Sequence, residues 1–278
     1  MAAEQKIVAN QSTGVDAAEA AMDRNIRDLL AEFPTLGDVL NSYGIGCVTC
    51  AVGTCQLRDI VQYHYLPEDQ QRELMGRIAE TIDPRGSAAP SPCEEEAVFR
   101  EIAYSAPMAE LVREHVLIKR WLALIPDVVA HIDLNAEADR QLIRDGVDFI
   151  RSYADRFHHA KEEDILFKHF DEGQEIIRVM LADHTAGRNH VQGMLAAVDT
   201  RDTAKLAEHL LGYRELLSEH IKKEDEILYP WMDRQLSPAH LDELAQEFRR
   251  AEGSFAPDMA ERFTRFIEGV EENLREGG

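Results

Sequence analysis

Two ten-residue stretches share one pattern: His158-His-Ala-Lys-Glu162-Glu-Asp-Ile-Leu-Phe and His220-Ile-Lys-Lys-Glu224-Asp-Glu-Ile-Leu-Tyr. In each, an imidazole precedes a carboxylate by four residues, one helical turn along the same face. Both side chains can therefore reach one ion or ion pair. The alignment pairs His158 with His220 and Glu162 with Glu224, and it leaves the neighbouring His159 and Glu163 on the helix flank. A carboxylate on an apolar stripe is costly without a partner, and two at one level repel each other. Metal cations relieve both penalties. Imidazole and carboxylate donors suit iron, manganese or zinc, and the absence of thiolates on these stripes argues against a soft-metal site. Two carboxylates bridging two metals, with terminal histidines and one open position, would suit binding of oxygen or nitric oxide.

The elements that must position these groups are four amphipathic segments, about 107–130, 137–170, 174–198 and 203–229, each with apolar residues at alternating three- and four-residue steps. His115 interrupts the first stripe, His158 and Glu162 the second, His184 the third, and His220 and Glu224 the fourth. Short connections make an all-α, antiparallel up-down-up-down four-helix bundle the simplest topology. His115 and His184 follow the starts of their helices, while His158 and His220 precede the ends of theirs. In an antiparallel bundle the four fall at one level. A single such histidine would read as a hydrogen-bonded core residue; agreement of stripe, repeat and depth points instead to a shared site. His131 and His190 are the remaining candidates for a fifth ligand, and both are out of phase: His190 is six residues past His184, and His131 lies at the far end of its helix. The acidic remainder of each repeat, Glu163, Asp164, Asp225 and Glu226, reads as a solvated face.

Composition agrees with an all-helical chain: of 278 residues, 45% are apolar and only 7% aromatic. With 52 acidic against 30 basic residues the formal charge is −22, which disfavours nucleic acid and anionic lipid as partners. No basic leader with an apolar run and no long apolar span is present, so a cytoplasmic location is expected. The Pro- and Ser-rich run DPRGSAAPSPC separates two regions of different character. The expected organisation is a small Cys-containing helical domain over 24–83, a linker over 84–97, the bundle over 98–236, and further C-terminal helices over 237–278 packed outside it. Of the four cysteines, Cys47, Cys50 and Cys55 are crowded together, as reactive or metal-handling thiols would be. Gly44 and Gly46 permit a tight turn, and Cys47 and Cys50 then lie near a helix start, where the dipole favours thiolate.

The paired His-x-x-x-Glu motif followed by Ile-Leu-Phe or Ile-Leu-Tyr resembles hemerythrin-like (HHE) domains over roughly residues 106–232, and most closely the proteins for repair of iron centres. The Gly-x-Cys-x-x-Cys segment within residues 26–82 is similar to the small domain that precedes the bundle in those proteins. The resemblance implies two non-haem iron ions, with His115, His158, His184 and His220 as terminal ligands and Glu162 and Glu224 as bridges. It further implies repair of iron–sulfur clusters or iron donation under oxidative or nitrosative stress, with iron–sulfur proteins as partners and Cys47 and Cys50 as redox thiols. The alternative is a module that binds oxygen, nitric oxide or peroxide as a sensor; turnover catalysis ranks below both, and a homodimer is compatible with either. Oxygen-carrying hemerythrins typically have a second histidine four residues after the one on the third helix, where this chain has Arg188. That departure leans away from simple oxygen transport.

Overall fold

In the computed structural model of the protein, the described residues are 20–43, 45, 56–58, 60, 64, 66–82, 103–171 and 173–276. They are helical with no strand among them; Asn25 and Gln56 form an isolated antiparallel bridge. The chain divides into two compact units, Met1–Ile102 and Ala103–Gly278. No described helix is long and apolar enough to cross a membrane.

The first unit contains α1 (Ile26–Glu32), α2 (Thr35–Ser42) and α3 (Glu68–Ile82). The Asn25 side chain accepts from the Arg27 amide at 2.8 Å and so satisfies one of the free donors at the start of α1. Leu29, Leu36, Leu40, Leu74 and Ile78 form the centre of a small separate core. Cys47, Cys50, Cys55 and Cys93, with Gly44 and Gly46, lie outside the described residues.

The second unit is built on α4 (Ala106–His131), then α5 (Glu137–Phe149), which runs on through a π-helix (Ile150–His159) into α6 (Ala160–Asp164). A 3₁₀ turn at Leu166–His169 leads to α7 (Glu175–Thr200) and α8 (Thr203–Lys223), and α8 passes through a second π segment (Glu224–Leu228) into α9 (Tyr229–Gln235). These are the four amphipathic segments read from the sequence. The α7–α8 connection is two residues long: Arg201 takes the left-handed conformation (φ 55°) and Asp202 caps α8 by accepting from the Lys205 amide at 3.0 Å. So tight a turn makes α7 and α8 antiparallel neighbours.

Two C-terminal helices follow, α10 (Pro238–Glu252) and α11 (Met259–Glu276). The sequence reading puts them outside the bundle, yet α11 contributes Met259, Phe263, Ile267 and Val270 to the same core as Ile118, Trp121, Phe149 and Leu210. Phe263 meets Phe149 edge-on at 5.3 Å, and Arg120 of α4 grips Glu271 with two 3.0 Å hydrogen bonds. Trp121 can lie flat in this core because Gly146 faces it: a Cβ there would meet Trp121 ring carbons at 2.5 and 2.6 Å. Gly269 on α11 has nothing within 4 Å of a built Cβ.

These two glycines predict opposite outcomes. Gly146→Ala should lower the urea midpoint, since overpacking costs ~1–3 kcal/mol against the ~1 kcal/mol alanine gains in helix propensity. Gly269→Ala should raise it by up to ~1 kcal/mol.

Candidate metal centre

His115 (α4), His158 (the first π segment), His184 (α7) and His220 (α8) are all buried, and their rings converge. His115 Nε2 lies 2.9 Å from His158 Nε2, and His184 Nε2 lies 3.0 Å from His220 Nε2. Glu162 and Glu224, both fully buried, complete the cluster. Glu224 Oε1 is 2.9 Å from His220 Nε2 and its Oε2 is 3.3 Å from His115 Nε2, while Glu162 Oε2 is 3.5 Å from His184 Nε2. The structure thus brings together all six residues singled out by the sequence.

It adds a seventh. His159 is buried, stacks on His184 with ring centroids 3.9 Å apart, and shares a donor group with Glu162, His184 and His220. His115, His158 and Glu224 form the adjoining group. The placement of His159 on the flank assumed an α-helical advance of about 100° per residue; across a π-helix the advance falls to roughly 80°, and two successive side chains can face the same centre. The π-helix from Ile150 to His159 is therefore what supplies the fifth histidine. Neither of the other candidates serves. His131 is exposed, its Nδ1 on the Asp127 carbonyl at 2.8 Å, and His190 faces His209.

The acidic residues read as a solvated face also have partners. Asp225 Oδ1 lies 2.7 Å from His115 Nδ1, and Glu163 Oε1 lies 2.7 Å from His184 Nδ1. Glu114 holds His158 Nδ1 at 2.8 Å, and Asp183 lies 3.3 Å from His220 Nδ1. Cations brace these carboxylates: Lys119 on Asp225 at 2.6 Å, Arg188 on Glu163 at 2.6 Å, Lys223 on Asp183 at 2.7 Å, and Lys161 on Glu114 in a very short contact. The signal is legible in retrospect. Glu114-His115-x-x-x-Lys119 on α4 matches Asp183-His184-x-x-x-Arg188 on α7, and His158-x-x-Lys161-Glu162-Glu163 matches His220-x-x-Lys223-Glu224-Asp225. Arg188, where a ligand histidine would depart from this pattern, is the counterpart of Lys119. Lys161 itself is buried, also reaches Glu110 and Glu252 at 3.1 Å each, and sits 4.2 Å over the Phe157 ring.

Each of these four histidines presents Nδ1 to a carboxylate, which fixes that nitrogen as the donor and turns Nε2 inward as a lone pair. The centre then holds nitrogen lone pairs, two carboxylates and few protons. Burial, and next the charge of Glu224, raise the Glu162 carboxyl well above the usual carboxylate range. Burial acts the same way on Glu224, but the facing His220 and His115 outweigh it and hold that carboxyl well below the usual range. For His220, burial opposes the proton while Glu224 and Asp183 favour it, and its pKa is pushed up to about 9. Protons on histidine compensate only part of the set: buried Glu162 Oε2 has no hydrogen-bond partner, and the Glu224 oxygens face only the Nε2 atoms of His220 and His115. Donors about 3.0 Å apart are also the spacing of adjacent ligands on an octahedral ion with ~2.1 Å bonds. The residues present therefore fit metal cations.

Beside the centre, a cavity of about 310 Å³ reaches His159 and His184 and is walled by Ile150, Val191, Leu195, Tyr213 and Arg188. His159 Nδ1 has no hydrogen-bond partner; the nearest carboxylate, Asp155, is 3.7 Å away. On the opposite side, Tyr229 stacks on His115 at 5.8 Å and donates its hydroxyl proton to Glu162 Oε1 at 2.7 Å.

Two outcomes are expected. His159→Ala should weaken metal binding in an equilibrium-dialysis titration, whereas His131→Ala should leave it unchanged; equal affinities for the two variants would remove His159 from the donor set. Lys161→Met, which strands Glu114 without its cation, should destabilise the fold by about 3 kcal/mol in chemical denaturation.

An uncharacterised protein of Mycobacterium bovis and two of Mycobacterium tuberculosis are each 23% identical to this chain over 164 residues, covering 55% of this chain and 63% of theirs. The chain thus spans less than two thirds of the length of these curated relatives. No solved structure matches it significantly. Residues 106–232, which carry every donor of the buried centre, match the family described as the hemerythrin HHE cation-binding domain.

Proposed function

We propose that the bundle holds two non-haem iron ions bridged by Glu162 and Glu224, and that it binds a small ligand such as oxygen, nitric oxide or peroxide. The observation that carries this reading is the donor set: five imidazoles and two carboxylates, without a thiolate, divided into a three-histidine group and a two-histidine group. Such donors suit iron, and neither group alone fills an octahedral shell, so the group beside the cavity keeps room for an exogenous ligand. When bound, the irons would supply redox-active Lewis-acid positions open to a small ligand. The chain's own residues do the rest. Four carboxylates hold the histidines in one tautomer and orientation, Tyr229 donates to Glu162, and the apolar walls beside His159 limit water. His159, the histidine with no partner on its outer nitrogen, is the least constrained donor, and it faces the cavity.

Iron donation to damaged iron–sulfur proteins under oxidative or nitrosative stress is the second reading. Its specific support is the Cys47-x-x-Cys50 segment ahead of the bundle, in the pattern of proteins for repair of iron centres.

Metal analysis of protein purified without added metal should find about two irons per chain; a folded, metal-free protein would overturn both readings. Nitric oxide or azide should then produce a stable optical band with iron retained. Val191→Trp, which fills the cavity, should slow the appearance of that band without changing iron content. Iron transfer to a damaged cluster protein, lost in Cys47→Ala or Cys50→Ala, would favour the second reading over the first.

A further inference from the structure

We propose that His190 and His209 form a second cation site, a clip that takes one zinc-like divalent ion between α7 and α8, separate from the buried centre. The two histidines are half-buried and face each other across the helix pair, with Nδ1 atoms 3.4 Å apart and rings at 72°. Two nitrogens on one tetrahedral ion with bonds of 2.0–2.1 Å are separated by about 3.3–3.4 Å. The pair therefore already has the spacing of two adjacent ligands.

The spacing is built by a local sequence pattern used twice. His190-Val-Gln-Gly193 on α7 and His209-Leu-Leu-Gly212 on α8 run antiparallel, so each histidine lies over the glycine of the other helix. A Cβ at Gly212 would meet His190 Cε1 at 2.5 Å, and a Cβ at Gly193 would overlap the His209 ring outright. Each glycine is a poorer helix former than alanine. That cost makes room for two rings, seated T-shaped within the helix interface.

The electrostatics favour a cation. His190 is lowered from the ordinary imidazole value by burial and by His209, which keeps the His190 ring neutral and its lone pair available. The charge of the Glu208 carboxylate favours positive charge at His190, and half-exposure leaves the remaining positions to water. Neutral imidazole with carboxylate and water suits zinc and its neighbours. The chain's net charge of −22 adds a general attraction for divalent ions. An ion held here would lock together the two helices that position His184 and His220, roughly two to three turns away.

The test uses the iron-loaded full-length chain titrated with Zn²⁺ in a calorimeter, with iron retention followed optically. One zinc per chain should bind in addition to the iron. His190→Asn and His209→Asn should each weaken that event by more than about tenfold. Gly193→Ala and Gly212→Ala should weaken it too, by displacing the opposite ring, although alanine favours a helix. Hydrogen exchange should report zinc-dependent protection in α7 and α8, lost in the double His→Asn variant. No zinc uptake beyond the iron centre, or uptake indifferent to both His→Asn changes, would overturn the proposal and reduce the pair to a neutral Nδ1–H···Nδ1 hydrogen bond. Because the readout is zinc on an iron-replete protein, its failure leaves the reading of the buried centre untouched.

Discussion

Two carboxylates, Glu162 and Glu224, lie fully buried in a helical bundle, with Glu162 Oε2 unpartnered and the Glu224 oxygens facing only imidazole nitrogens. The rest of the second unit is organised around making that arrangement tolerable. Two such charges in a low-dielectric interior repel strongly and cost more to desolvate than any nearby apolar contact returns. Histidine protons offset only part of this cost, because Glu114, Glu163, Asp183 and Asp225 draw the Nδ1 protons outward and only His220 and His115 gain a proton readily. What remains is a cage of lone pairs whose natural complement is a metal cation. The match of residues 106–232 to the hemerythrin HHE cation-binding domain agrees with that requirement.

The cage has an approximate twofold pattern, and its chemistry lies in the two places where the pattern fails. Glu114, His115 and Lys119 correspond to Asp183, His184 and Arg188; His158, Lys161, Glu162 and Glu163 correspond to His220, Lys223, Glu224 and Asp225. His159, however, corresponds to Ile221, and Tyr229 corresponds to Phe167; all four are buried. One half therefore gains a nitrogen donor and the other a hydroxyl. The result is two unequal donor groups, one rich in histidine beside a cavity and one poorer in donors beneath a tyrosine.

Lys161 links this centre to the helices beyond the matched region. Its ammonium touches Glu114, which orients His158, and also Glu252 at the end of α10. Together with the α11 side chains in the common core, this makes the C-terminal helices part of the site's support.

The sequence by itself determined the helices, their inward stripes and six of the donors, because period-3.6 burial and a repeated i, i+4 pair of ligands are local properties. The four-residue spacing in both repeats was sufficient to choose His158 with Glu162. Charge partners such as Glu163–His184 and Asp225–His115 join different helices, so their roles were hidden in what looked like a solvated acidic face. Only the tertiary structure decided that His159 turns inward. The choice between α- and π-helical advance over residues 150–159 depends on what the surrounding helices bury, and a single backbone hydrogen-bond shift there moves a side chain from flank to centre.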